Sequence, residues 1–300
     1  MPLHAFSTAS YTIPLPPGHR FPIEKYALLR QRVISEGLVP SDRLHSPDRA
    51  SPEQLQLVHT ADYVDRFTGG RLTEIEIRRV GFPWSPELSE RSYRAVGGTI
   101  GASRAALEHG ISINLAGGTH HAFADHGEGF CVFNDVAVSI RVLQHEGRIR
   151  RAAIIDLDVH QGNGTHAIFS GDRSVFTFSM HGGRNYPFNK VAGSLDLELP
   201  DATGSDTYLE LLAEHLPDVL VRAAPDLVVY LAGADPHERD RLGRLKMTHE
   251  GLMRRDVMVI AACREAGIPV AITIAGGYGH DIMETVEVHA NTVRIARDFA

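Results

Sequence analysis

The chain has 300 residues, 43% of them hydrophobic, with 37 Asp and Glu against 30 Lys and Arg and a net charge of −7, which allows one large α/β domain with a substantial core. No apolar run approaches the length that crosses a bilayer, and no block of Lys and Arg offers a footprint for nucleic acid or an anionic membrane, so neither partner is expected. The opening MPLHAFSTASYTIPLPPGH has neither a basic nor an apolar leader region, and the expectation is a cytoplasmic protein.

Residues 1–60 are rich in proline and short polar clusters and are expected to wrap the rest. Their one helix is predicted over Glu24–Glu36, where Tyr26, Leu29 and Val33 recur at helical spacing. From about residue 95, short apolar runs alternate with longer amphipathic ones, the pattern of β-α units in a mostly parallel sheet. In chain order the reading is a helix near Gly98–Glu108, a strand Ile111–Leu115, a helix Asp135–Glu146 and strands Ala152–Asp156 and Val175–Ser179. A helix Tyr208–Arg222, a strand Leu227–Leu231, a helix Gly251–Glu265 and a strand Val270–Ile274 follow. Gly97, Gly98 and Gly101 could open a phosphate loop, but no clear strand precedes them, and tight helix packing is preferred. Cys131 and Cys263 are too few for a disulfide framework, lie in no CxxC pair, and read as buried free thiols.

The segments after the strands, AGGTHH, DLDVHQGNG, SMHGG, AGADPHERD and AGGYGHD, are dense in His, Asp, Gly and Tyr. Ligands of open α/β sheets bind at the carboxyl ends of the strands, so these segments are expected to meet at one site. Asp158 and His160 are two apart at a strand end and share a face, with Asp156 pointing the same way. Asp235 is the best third ligand from another strand. Two carboxylates and an imidazole make an open site suited to a catalytic Zn²⁺. A calcium loop begun at Asp156 fails, because Gln161 and Ala167 stand where glycine and glutamate belong. A plain polar turn stays open, although aligned carboxylates on a buried strand end repel without a cation. His120 and His121 are suited to acid–base work, or to a surface turn if read alone. Tyr278, after two glycines, stands where a phenol can donate to an oxyanion, or packs as a core tyrosine.

Taken together, VGFPW, GGTHHAF, GEGFCVFND, IIDLDVHQGNGT, SMH, LAGADP, RDRLGRL and AGGY resemble the histone deacetylase family, most similarly its class IV branch and bacterial relatives, from about Pro17 to beyond Tyr278. The resemblance implies a single arginase-like α/β domain over residues 1–300, with a central mostly parallel sheet flanked by helices and the active site at the carboxyl ends of the strands. It implies Asp158, His160 and Asp235 as ligands of Zn²⁺ or Fe²⁺, Tyr278 as oxyanion donor, His121 as general base and acid, and His120 as its electrostatic neighbour. Asp156 and Asn163 match the partners of His120 and His121. Many relatives have aspartate where Asn163 stands, and a neutral amide should raise the basicity of its histidine less. A structural K⁺ is implied on Asp156, Asp158, His160, Ser179 and Met180, largely through carbonyls. Gly129 and Phe130 match one wall of a narrow acyl-lysine channel. Tyr186 or Phe188 is expected opposite, with Glu87 or Glu90 at the rim. The implied activity is metal-assisted removal of an acetyl or longer acyl group from lysine side chains or a related amine. The alternatives are an acetylpolyamine or other small-molecule deacetylase, favoured by a narrow acidic rim, and a non-catalytic acyl-lysine-binding protein. The carboxylates are too few for a two-metal ureohydrolase.

Overall fold

The structure is a computed structural model that describes residues 2–300. Its strands are β1 (His4–Phe6), β2 (Leu44–His45), β3 (Ile111–Asn114), β4 (Ala152–Asp156), β5 (Val175–Gly182), β6 (Leu195–Leu199), β7 (Leu227–Leu231) and β8 (Val270–Thr273). The helices are α1 (Glu24–Ser35), α2 (Pro52–Leu55), α3 (Ala61–Thr68), α4 (Glu74–Val80), α5 (Pro86–His109), α6 (Asp135–His145), α7 (Asn163–Ile168), α8 (Ser205–Ala223), α9 (His249–Glu265) and α10 (Ile282–Asp298). The strands form one sheet in the order β2-β1-β3-β8-β7-β4-β5-β6, with every pairing parallel. Parallel strands covered by helices on both faces need apolar residues throughout, and AAIID in β4 and LVVYL in β7 are buried at every position.

Two differences from the sequence reading have physical causes. The first 60 residues do more than wrap, because His4–Phe6 enters the sheet beside β3 with Ala5 opposite Ile113. The helix expected near Gly98 starts twelve residues earlier, at Pro86, where the Ser85 hydroxyl accepts from the Leu88 N–H and proline fills the first turn. Its glycines are packing positions. A Cβ at Gly97 would strike the Asp48 carbonyl, and one at Gly101 would lie 2.6 Å from the Phe6 ring. Cys131 and Cys263 are free and buried. No helix among the described residues is long and apolar enough to cross a membrane.

The chain leaves β3, skips two places in the sheet and returns as β4, and β8 and β7 later occupy the gap. Loops from the carboxyl ends of β3, β8, β7 and β4 therefore stand side by side over the centre of the sheet, where the strand order reverses.

His59 ties this central region to the helical layer. Its Nδ1 donates to the Phe123 carbonyl at 2.9 Å, and its Nε2 accepts from the Asn134 N–H at 2.9 Å, where α6 begins. Burial pushes the imidazole down to about 4, only partly opposed by the carbonyls of Phe123 and Ala124. The unfolded chain takes up this proton near pH 6.5, so the stability that His59 confers is whole above that pH and is lost as pH falls toward 4. Between pH 7 and 5 that loss is about 2 kcal/mol. Denaturant unfolding of the wild type and of His59→Gln should show stabilities that converge by this amount on acidification; a constant difference would count against the assignment.

Candidate active site

Asp158 and His160 lie just beyond β4, and Asp235 lies beyond β7. One possible ligand atom from each falls within 4.8 Å of the others, and all three residues are buried. His160 Nδ1 is 3.0 Å from Asp158 Oδ1 and 3.2 Å from Asp235 Oδ2. Backbone amides orient the carboxylates: Gly276 N donates to Asp158 Oδ2 at 2.8 Å, and Val159 N donates to Asp235 Oδ1 at 2.9 Å. Asp235 Oδ2 is buried and accepts no well-aligned hydrogen bond, its nearest donor group being His160 Nδ1. Gly276 has no substitute here, since a Cβ would strike Asp235 Oδ2 and lie 2.5 Å from Asp158 Oδ2. Burial and the charge of Asp158 push Asp235 above the ordinary carboxylate range. Burial alone would lower His160, but Asp158 and Asp235 lift it to about 10. The orphaned oxygen, the hard O,N,O donor set and the glycine cradle all fit a divalent metal ion.

The adjacent histidines are driven in opposite directions. His120 Nδ1 donates to Asp156 Oδ2 at 2.7 Å. Burial pulls His120 down, yet Asp156 and Asp158 outweigh it and raise it to about 9. His121 is lowered well below its ordinary range by burial, then by the positive charges of His120 and His160. Its Nδ1 donates to Asn163 Oδ1 at 2.8 Å, leaving Nε2 with a lone pair. Asn163 owes its orientation to a residue that sequence reasoning missed: its Nδ2 donates to Glu128 Oε1 at 2.6 Å, which turns Oδ1 toward the histidine. A carboxylate therefore stands behind the amide, on the side away from His121. Glu128→Gln keeps an acceptor but removes the charge. It should lower kcat roughly tenfold with metal content unchanged, and unaltered kcat would separate Glu128 from the chemistry.

Tyr278 follows β8 and is buried, its ring centroid 6.4 Å from that of His160. Burial, then Asp158 and Asp235, hold its phenol well above its ordinary range, so it remains protonated. The hydrogen bonds it makes run through its backbone: its N–H donates to Asp240 Oδ2 at 2.6 Å, and its carbonyl accepts from Arg241 Nε at 2.9 Å. Asp240 and Arg241, from the segment after Asp235, are further supports the sequence reading did not single out. So is Arg255, fully buried, whose Nη1 donates to the carbonyls of Gly233 and Leu157 at 2.7 and 3.3 Å, behind the metal-ligand loops.

A narrow cavity of about 80 Å³ runs past Phe130, Gly129 and Tyr278 to His120, His121, Asp158 and His160. Phe130 has φ +64° and Gly129 φ +57°, a left-handed pair that turns the phenylalanine ring against Phe82, 5.3 Å away, and Phe21, 5.5 Å away. Neither candidate for the opposite wall lines this cavity; Tyr186 stands just outside it, edge-on to His121 at 4.9 Å. Phe188 lines the same outer recess but is 85% exposed. The acidic rim expected from Glu87 or Glu90 is absent: Glu90 is paired with Arg94 and Arg49 at 2.7 and 3.0 Å, and Glu87 is exposed on the first turn of α5, away from the cavity. Ser179 lies opposite Asp156 in the β4–β5 register, with Met180 next along β5, both fully buried.

Residues 19–293 match the family model described as the histone deacetylase domain. The chain is 47% identical to an uncharacterized protein of Picosynechococcus sp. over 96% of both chains. It is 34% identical to histone deacetylase 2 of Arabidopsis thaliana over 87% of this chain and 70% of that one. It is also 31% identical to the acetoin utilization protein AcuC of Bacillus subtilis, over 80% and 67% respectively. Among solved structures, an HDAC homolog from Aquifex aeolicus superimposes with a TM-score of 0.85 at 24% identity, over 99% of this chain and 84% of that one.

Proposed function

The chain belongs to the histone deacetylase family, and from that premise we propose that residues 1–300 form one metal-dependent catalytic domain that hydrolyses the amide of an acylated lysine or related amine. The observation that carries this reading is the meeting, around one recess, of a neutral imidazole at His121, a protonated phenol at Tyr278 and the Asp158, His160, Asp235 cluster with its unsatisfied oxygen. Those three residues would hold Zn²⁺ or Fe²⁺, and a bound ion of this kind polarises the acyl carbonyl and acidifies water. His121 Nε2 accepts the proton as the water oxygen adds to the carbonyl carbon, and returns it to the nitrogen as the C–N bond breaks. Asn163, aligned by Glu128, keeps His121 in the tautomer this requires. His120, held by Asp156, presents its imidazole beside the developing negative charge, and Asp156 favours its protonated form. The Tyr278 phenol donates to the oxyanion. Gly129, Phe130 and Tyr186 enclose a linear acyl-bearing side chain, while Phe188 meets whatever lies outside. A structural K⁺ on Asp156, Asp158, His160, Ser179 and Met180 belongs to the same reading, supported by the register of Ser179 against Asp156.

The test is turnover by purified protein of acetyl-, medium-chain- and long-chain-acyl lysine peptides and of acetylpolyamines, with and without a chelator. Chelator-sensitive hydrolysis is expected, and its ranking fixes the acyl length. Binding of acylated ligands by metal-loaded protein that hydrolyses none of them would replace the enzyme with an acyl-lysine-binding protein.

A further inference from the structure

The mouth of the channel has a charge opposite to that of the protein. Outside Tyr278 lies a recess of about 600 Å³ whose floor reaches His121 and His160 and whose walls carry Arg20, Arg184, Arg241 and Arg244. No Asp or Glu lines it. Asp201 answers two of these cations, 3.1 Å from Arg244 and 3.7 Å from Arg184. Arg241 points Nε at the Tyr278 carbonyl and Nη2 at the Arg20 carbonyl, which leaves its charge unneutralised. Arg20 itself is exposed. Four guanidiniums against one carboxylate thus crowd a single opening in a chain whose net charge is −7. Fields from like charges at a cleft mouth add, and they sort ligands before contact.

Resting on the deacylase reading, we propose that this arginine rim selects acyl-lysines flanked by acidic side chains. The acyl end of a substrate must descend past Phe130 and Tyr186 to His121, so the part left facing the arginines is the portion bearing the amine. A guanidinium offers paired N–H donors matched to a carboxylate, and several spaced around a mouth match a chain with carboxylates on both sides of the reacting lysine. The exposed Phe188 ring widens the contact beyond the acylated side chain. Acetylpolyamines and acyl-lysines in Lys- and Arg-rich tails carry the wrong charge for this opening.

The experiment uses metal-loaded protein and three acetyl-lysine peptides of equal length, with acidic, neutral or basic flanks, measured by fluorescence anisotropy for binding and separately for turnover. The acidic peptide should bind roughly tenfold more tightly than the basic one, and high salt should shrink the difference. An Arg20→Glu/Arg244→Glu variant should invert the order. Equal binding of the three peptides overturns the proposal, as does an order that the double variant leaves unchanged. Competition by a free N-acetyl amino acid as effective as that of the acidic peptide also overturns it, because one small carboxylate then suffices. Turnover without charge preference removes the rim and leaves the deacylase; a binding preference without turnover removes the deacylase and leaves the rim.

Discussion

Asp235→Asn is expected to leave the purified protein without stoichiometric metal and without measurable hydrolysis. The substitution is nearly isosteric and keeps an oxygen for the Val159 N–H, which now donates to Asp235 Oδ1 at 2.9 Å. It removes the anionic donor whose Oδ2 is otherwise buried and unsatisfied. Affinity for the ion should fall by more than about a hundredfold, the upper range for residues that only support a ligand. Stability separates this loss from misfolding. In the metal-free protein, burial and Asp158 already disfavour the charge on Asp235, so the metal-free variant should be at least as stable as metal-free wild type. Added Zn²⁺ should raise the melting temperature of the wild type, by an amount equivalent to about 2.7 kcal/mol at a hundredfold excess over Kd, and leave the variant where it was. Element analysis and thermal scans at matched Zn²⁺ check both halves, and a variant that retains one equivalent of metal would remove Asp235 from the ligand set.

Tyr278→Phe should reduce kcat by roughly 10²- to 10³-fold, the loss associated with one oxyanion donor, while metal content and substrate binding change little. The ring contacts survive the change, since Phe130 and Phe21 meet Tyr278 through its ring at centroid distances of 6.1 and 6.4 Å. The bonds from its backbone to Asp240 and Arg241 survive as well. Only the hydroxyl is lost, and burial keeps that hydroxyl protonated throughout the neutral range. A drop confined to KM would mean that the phenol binds substrate without stabilising the oxyanion, and unchanged kcat would exclude it from the mechanism.

Sequence disclosed the site more fully than its surroundings, for physical reasons. Strands buried on both faces are continuous apolar runs, so Ala152–Asp156 and Leu227–Leu231 are read to the residue. Elements toward the sheet margins carry no such signal: the outermost β2 is two residues long, its neighbour His4–Phe6 three, and β6, LDLEL, at the other margin alternates charge with leucine. The α5 start was obscured because Gly97, Gly98 and Gly101 weaken helical periodicity where the close approach of Asp48, Asn114 and Phe6 requires them. Asp158, His160, Asp235, His120, His121 and Tyr278 stood out because strand ends concentrate unusual residue types. Glu128, Arg241 and Arg244 fall inside motifs that carry the family resemblance, but their roles, like those of Arg20 and Arg184, show only in where they point: Glu128 onto Asn163, and the four arginines around one opening.

The order of strands in the sheet also governs how the chain must come together as it is made. Residues up to Asp156 supply β3 and β4, the two strands that flank the centre, but the pair that joins them, β7 and β8, is complete only at Thr273. At ribosomal speed the interval is on the order of ten seconds. Until then β3 and β4 lack their native inner neighbours, so any sheet they have begun leaves apolar edges with unpaired backbone groups, the kind of surface that recruits other chains or chaperones. Asp235 and Tyr278 arrive with those late strands, so the nascent chain acquires its chemistry in the same step that seals its most adhesive edges. A chain interrupted before Val270 is therefore an aggregation hazard and not a smaller enzyme.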